Sequence, residues 1–103
     1  MQLSMINNGD TVIAAFDGEL DEHTASDVRD TLDNRIARGG FRNFVFDFSR
    51  LKFMDSTGIG VLLGRYKTLK RRGAGIYISS PNPHVDKILS LAGIYSIIQK
   101  INL

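Results

Sequence analysis

The stretch FMDSTGIGVLLGRY, residues 53–66, begins as the end of an apolar strand and continues into an amphipathic helix. At the junction lie Asp55, Ser56 and Thr57, whose side-chain oxygens can accept hydrogen bonds from the free N–H groups of a helix's first turn. Apolar side chains then recur at helical spacing and predict a buried face: Ile59, Leu62, Leu63, Tyr66 and Leu69. The pattern predicts that Ser56 and Thr57 lie near the helix N-cap and face outward.

A hydroxyl at this position can carry a phosphate without unfolding the helix, because the N-terminal end of a helix favours negative charge. The helix also contains Gly58, Gly60 and Gly64, each of which costs about 1 kcal/mol of helix stability relative to alanine. Close packing of the helix start on a sheet would explain these glycines. Close approach of a partner to bare backbone would explain them equally well, and the sequence leaves both explanations open.

Length and composition predict one domain over residues 1–103, because a chain that is 43% hydrophobic can bury a core. The chain has no cysteine, which excludes disulfide scaffolds and thiolate metal sites. No apolar run approaches the ~20 residues of a membrane span, and the first residues lack the features of a secretory signal. We therefore expect a cytoplasmic protein without a membrane-embedded part.

Charge is unevenly distributed along the chain. Up to Asn34 there are eight acidic residues and one basic residue, whereas from Arg35 onward there are three acidic and twelve basic residues. Such separation predicts charged faces that can steer a partner. The basic residues near the end of the second helix offset its dipole and lack interleaved aromatic residues, so no nucleic-acid binding is expected.

The order of predicted elements is ββαβαβαβ. Strands are predicted over residues 2–7, 11–16, 43–48, 75–79 and 97–101, and helices over 23–38, from the junction at 55–57 to Arg72, and over 84–92. Asn8-Gly9 predicts a hairpin between the first two strands, and residues 17–22 are expected to form an acidic connector. Right-handed crossovers then give an α/β fold, a mixed sheet of about five strands with the helices packed on one side.

The sequence contains no recognisable catalytic, metal or cofactor site. Ser56 lacks the flanking glycines of a nucleophile elbow, and no base is placed beside it. There is no Gly-Lys pair for a phosphate-binding Walker loop, and Gly58-x-Gly60 lacks the third glycine of a dinucleotide motif. His23 and His84 are far apart, so no metal is expected.

Residues 55–60, DSTGIG, preceded by LKFM and followed by VLLGRYK, closely resemble the phosphorylation loop of bacterial anti-sigma factor antagonists, which are STAS domains. The GRYK continuation is most similar to that of the sporulation members of this family, which act on the anti-sigma-F factor. GELD at 18–21 with Thr24-Ala25 resembles the family's entry into the first helix, and residues 89–94 resemble its exit from the third. The resemblance therefore covers nearly the whole chain.

This resemblance implies a STAS fold and a regulatory binding protein that is not an enzyme. It implies an anti-sigma factor with serine kinase activity as direct partner, a serine phosphatase as second partner, and a sigma factor as indirect partner. The unmodified protein would bind the anti-sigma factor and make it release the sigma factor.

Phosphorylation of the serine that matches Ser56 would switch the protein off, although chemistry alone does not separate Ser56 from Thr57. Contacts with the partner are expected from the residues around it: Asp21, His23, Thr24, Asp55, Thr57, Gly58, Ile59 and Gly60. The alternative is a STAS scaffold that binds a small ligand or another protein without a phosphorylation switch.

Overall fold

The structure, a computed structural model, describes every residue from Met1 to Leu103. Its sheet has five strands, which are β1 (Gln2–Asn8), β2 (Thr11–Leu20), β3 (Asn43–Met54), β4 (Gly75–Ser79) and β5 (Gln99–Ile101). The α-helices are α1 (Ala25–Arg38), α2 (Ser56–Arg71) and α3 (Pro83–Leu91). A short 3₁₀ helix, Ile94–Ser96, lies between α3 and β5.

The strands lie in the sheet in the order β1-β2-β3-β4-β5, which is their order in the chain. β1 and β2 form an antiparallel hairpin through Asn8 and Gly9, and Gly9 has the positive φ of 62° that such a turn requires. All other neighbouring strands are parallel, so each connection between them is a crossover through a helix. The predicted fold class and element order are confirmed.

One hydrophobic core joins the three helices to a single face of the sheet. It contains 21 buried residues, among them the alternating Phe44, Phe46 and Phe48 of β3. Neighbouring rings in this row have centroids 5.2 and 6.3 Å apart in tilted geometry. Each helix contributes buried aliphatic side chains to the same cluster, among them Val28 and Leu32, Val61 and Leu62, and Val85 and Leu89. No helix covers the opposite face.

Two strands continue past their predicted ends, which corrects the sequence-based boundaries. β2 ends at Leu20 instead of residue 16, and β3 ends at Met54 instead of residue 48. The cause is that Leu20 and Met54 are fully buried and pair with each other. Two register shifts in the β2–β3 ladder let the polar residues between the core positions remain in the strands. The acidic connector predicted over 17–22 is therefore strand up to Leu20.

The end of the chain is attached to α3 by a cluster of three side chains. Asp86 of α3 accepts hydrogen bonds from the Tyr95 hydroxyl and from Lys100 Nζ, the latter at 3.1 Å. The bond from Tyr95, followed by that from Lys100, lowers the pKa of Asp86 below its usual value. Burial, followed by the hydrogen bond to Asp86, raises the pKa of Tyr95, so the tyrosine remains a donor.

Replacing Tyr95 with phenylalanine is expected to reduce the free energy of unfolding at pH 7 by about 1 kcal/mol, the typical value of one hydrogen bond in a partly exposed setting. The folded protein lowers the pKa of Asp86. The ionised carboxylate therefore adds to the free energy of unfolding above the unfolded-state pKa, and this stabilisation is lost as pH falls through the folded-state pKa. Urea unfolding of both proteins at pH 7, 5 and 3 should show a difference in the free energy of unfolding that narrows at the lowest pH. A constant difference would contradict this assignment.

Candidate functional site

Helix α2 begins at Ser56, and the residue before it supplies the N-cap. Asp55 has extended backbone geometry, and its Oδ1 accepts hydrogen bonds from the N–H groups of Thr57 at 2.9 Å and Gly58 at 3.3 Å. Its carbonyl oxygen accepts a bond from the N–H of Ile59 at 3.3 Å. The first two bonds satisfy two of the free donors of the helix, and the third is the first bond within the helix. Asp55 carries the cap, and the Ser56 hydroxyl is not needed for it.

The two hydroxyl residues of the first turn differ in exposure. Ser56 is the first residue of α2 and is exposed, whereas Thr57 is half-buried. Both occupy the turn in which the helix dipole favours a negative group. The predicted position near the N-cap therefore agrees with the structure for both residues, but of the two only Ser56 is exposed.

The connection from β2 to α1 is a turn held by Asp21 and Thr24. Asp21 Oδ1 accepts hydrogen bonds from the N–H groups of His23 at 2.9 Å and Thr24 at 3.2 Å. The Thr24 hydroxyl donates to the carbonyl oxygen of Glu19 at 2.9 Å and accepts from the N–H of Asp21 at 3.1 Å. These bonds delay the start of α1 from the predicted residue 23 to Ala25. The side chain of His23 is left 84% exposed.

Strand pairing brings this turn next to the start of α2. Leu20 pairs with Met54, and the N–H of Asp55 donates to the carbonyl oxygen of Leu20 at 3.4 Å. Asp21 and Asp55 directly follow that pair, so the two turns leave the same edge of the sheet side by side. This edge is formed by the carboxyl ends of parallel strands, where functional groups of open α/β sheets collect.

The glycines of α2 have different surroundings. A Cβ at Gly58 would lie 2.6 Å from Cγ of Met54 and 3.1 Å from Cγ of Leu20, and both side chains are fully buried. Gly58 therefore allows the helix start to pack on the ends of the strands. A Cβ at Gly60 or Gly64 would have no neighbouring atom within 4 Å. Packing explains Gly58, whereas close approach of a partner is left as an explanation for the exposed Gly60.

The structure thus brings together all nine residues that the sequence indicates for the site, at different depths. Three of them are exposed: His23, Ser56 and Gly60. Five are half-buried: Asp21, Thr24, Asp55, Thr57 and Ile59. Gly58 is buried and therefore offers no surface of its own to a partner.

Part of the charge separation seen in the sequence appears as an acidic border of the candidate site and a basic last turn of α2. The candidate site is bordered by the acidic residues Glu19, Asp21, Glu22 and Asp55. Helix α2 spans about 24 Å from there to its basic last turn. At that far end Arg72 Nη2 donates to the carbonyl oxygen of Ala37 at 3.4 Å, which joins the ends of α1 and α2. A basic partner surface would therefore be attracted to the site end.

Sequence reasoning missed a second border of the site. The ring of Phe53 stacks on His84 at the start of α3, with centroids 5.3 Å apart and planes 18° apart. Asn82 caps α3 and is tied to the end of β3 by hydrogen bonds to the carbonyl oxygens of Leu51 and Lys52. Asn82-Pro83 is a recognisable helix start. However, no sequence pattern indicates that Phe53 is displayed while most other phenylalanines of the chain are buried.

The exposed hydroxyl of Ser56 has the geometry of a group that another protein can modify. Ser56 presents an alcohol at the surface, and the carboxylate beside it, Asp55, is engaged with backbone N–H groups. No three side chains of His, Asp or Glu lie close enough together to hold a metal ion. No helix combines the length and the apolar character that crossing a membrane requires.

This fold and this site define a STAS domain. The family model described as STAS domain matches residues 2–103, and the chain belongs to that family. Within the family it is similar to the anti-sigma F factor antagonist of Paenibacillus polymyxa, with 36% identity over 94% of this chain and 83% of the relative. It is also 31% identical to the anti-sigma F factor antagonist of Lysinibacillus sphaericus, over 90% of this chain and 79% of the relative.

Solved structures give the same assignment. The anti-sigma factor antagonist SpoIIAA in its unphosphorylated form superposes with a TM-score of 0.80 at 31% identity, over 97% of this chain and 86% of that one. The Bacillus cell fate determinant SpoIIAA in the phosphorylated form superposes with a TM-score of 0.72 at 30% identity, over 97% of this chain and 89% of that one.

Proposed function

We propose that this chain is an anti-sigma factor antagonist controlled by phosphorylation of Ser56, and that it acts in the cytoplasm. In the unmodified form it binds an anti-sigma factor with serine kinase activity, which then releases its sigma factor. The kinase phosphorylates Ser56 and ends the interaction, and a serine phosphatase restores the binding form. The protein is a regulatory binding module, and the chemistry belongs to its partners.

One observation carries this proposal: Ser56 is exposed as the first residue of α2, while Asp55 alone caps the helix. The hydroxyl can therefore enter a kinase active site without loss of a structural hydrogen bond. The half-buried Thr57 is less accessible, which supports Ser56 as the acceptor. The relatives named anti-sigma F factor antagonists support the partner.

Phosphorylation is expected to leave the fold intact and to prevent docking. A phosphate adds about −1.5 to −2 charges and three acceptor oxygens. Asp55 Oδ1 already occupies the N–H groups of Thr57 and Gly58, so the phosphate projects outward beside another negative charge. At an interface this group would be desolvated and repelled by nearby acidic side chains. SpoIIAA resembles this chain in both of its forms, which supports an unchanged fold.

Incubation with the cell's own anti-sigma factor and ATP is expected to place one phosphate on Ser56. Mass spectrometry of the digested protein locates it, and the variants Ser56→Ala and Thr57→Ala form a matched pair. Ser56→Ala should abolish phosphorylation, whereas Thr57→Ala should retain it because Thr57 is not the acceptor.

A phosphate found on Thr57 would show that the acceptor is Thr57 and not Ser56. A kinase that binds the protein but modifies neither residue would instead favour the STAS scaffold without a phosphorylation switch.

A further inference from the structure

Phe53 is the only exposed one of the six phenylalanines of the chain, and Phe41 is half-buried. Phe16, Phe44, Phe46 and Phe48 are at most 2% exposed, whereas Phe53 is 38% exposed. An aromatic ring open to water forgoes the free energy that its burial would provide. A displayed ring next to a functional site offers an aromatic contact of the kind that is enriched in protein interfaces.

The ring is held by His84, whose own position is fixed by Asn82. His84 stacks on it with centroids 5.3 Å apart and an interplanar angle of 18°. The start of α3, which carries His84, is fixed by Asn82: its Nδ2 donates to the carbonyl oxygens of Leu51 at 3.1 Å and Lys52 at 3.4 Å. The Asn82 Oδ1 accepts from the N–H of Val85 at 2.8 Å, which caps the helix. A ring fixed before binding loses little conformational entropy when a partner covers it.

The ring also lies within the same footprint as Ser56. Phe53 and Ser56 are three positions apart in the chain, so their Cα atoms are at most about 11 Å apart. An interface of standard size covers about 800 Å² on each partner, which reaches well beyond that distance. Leu20, which leads into the acidic turn, belongs to β2 on one side of β3, whereas Asn82 and His84 follow β4 on the other. Ser56 therefore lies between an acidic border and an aromatic one.

We propose that Phe53 and His84, the aromatic platform, form a second contact surface for the anti-sigma factor kinase that phosphorylates Ser56. The platform takes an apolar side chain of the kinase, and the exposed Lys52 beside it favours an acidic neighbour on that partner. The platform anchors the kinase beside Ser56, and it takes no part in phosphoryl transfer. This inference rests on the proposed function and specifies how the partner recognises the site.

Steady-state phosphorylation by the cell's own anti-sigma factor tests the platform, with calorimetric titration of the unmodified protein as a second readout. Phe53→Ala should raise KM and the dissociation constant by about tenfold, the loss expected for an aromatic anchor, with kcat unchanged. His84→Ala should weaken binding by less, because it removes only the support of the ring. Leu91→Ala is the matched control, since Leu91 is 78% exposed at the far end of α3.

Thermal melts of all variants separate loss of contact from loss of fold, and His84→Ala, an exposed position, keeps the test valid if Phe53→Ala melts early. If Phe53→Ala and His84→Ala both have the KM and the dissociation constant of the wild-type protein, the platform is not a contact surface, and the proposed function still stands. A decrease in kcat without a change in KM would also overturn the proposal, because the loss of an anchor raises KM and leaves kcat unchanged. If the kinase neither binds nor phosphorylates the wild-type protein, the proposed function itself fails.

Discussion

Replacing Ser56 with aspartate is expected to weaken binding to the anti-sigma factor by about 3 kcal/mol, roughly a hundredfold in the dissociation constant, because an unpaired charge is buried at the interface. Ser56 is exposed at the first position of α2 and is bordered by the carboxylates of Asp55 and Asp21. A negative group there finds the backbone donors of Thr57 and Gly58 already held by Asp55. Calorimetric titration of the unmodified and substituted proteins measures the difference.

Ser56→Asn is the matched control, because asparagine has the shape of aspartate without its charge. We expect the asparagine variant to bind far better than the aspartate variant, and Ser56→Ala to bind nearly as well as the original protein. Thermal melting should stay close to that of the original for all three, since an acidic residue in the first turn of a helix is favourable by about 0.3–1 kcal/mol. Equal binding by the aspartate and asparagine variants would show that the switch does not act through charge.

The order of elements was predictable because each element carries a local signal. The apolar spacing of α2, the Asn8-Gly9 turn and the alternating phenylalanines of β3 each depend on neighbours within a few residues. The ends of β2 and β3 were not predictable in this way. Glycine and acidic residues at 17–19 disfavour a strand, and only the pairing of Leu20 with Met54 in the folded core extends both strands.

The candidate site likewise has features that the local sequence predicts and features that only the folded chain determines. Asp55, Ser56 and Thr57 lie in one turn, so their place at the helix start follows from the chemistry of caps. Which oxygen forms the cap depends on backbone geometry, and the structure assigns it to Asp55. The stacking of Phe53 on His84 joins residues more than thirty positions apart, and no local pattern encodes that contact.

Gly58→Ala is expected to destabilise the protein by about 2 kcal/mol net, because overpacking a filled core costs up to about 3 kcal/mol. The new methyl group would lie 2.6 Å from Met54 Cγ and 3.1 Å from Leu20 Cγ, and both of these side chains are fully buried. Alanine also gains helix propensity, about 1 kcal/mol, so the measured loss is what remains after that gain. Chemical denaturation in urea measures it directly, and an unchanged or higher free energy of unfolding would contradict the packing role.

Gly60→Ala is the matched substitution in the same helix, and its two readouts are expected to move in opposite directions. No atom lies within 4 Å of a Cβ at Gly60, so the gain in helix propensity is unopposed and should raise the free energy of unfolding by about 0.5–1 kcal/mol. A protein that becomes more stable and yet binds the anti-sigma factor less tightly would place the partner's atoms directly against the bare backbone of α2. If binding is unchanged, the partner does not approach this turn of the helix closely, and the contact surface is confined to the first turn and its two borders.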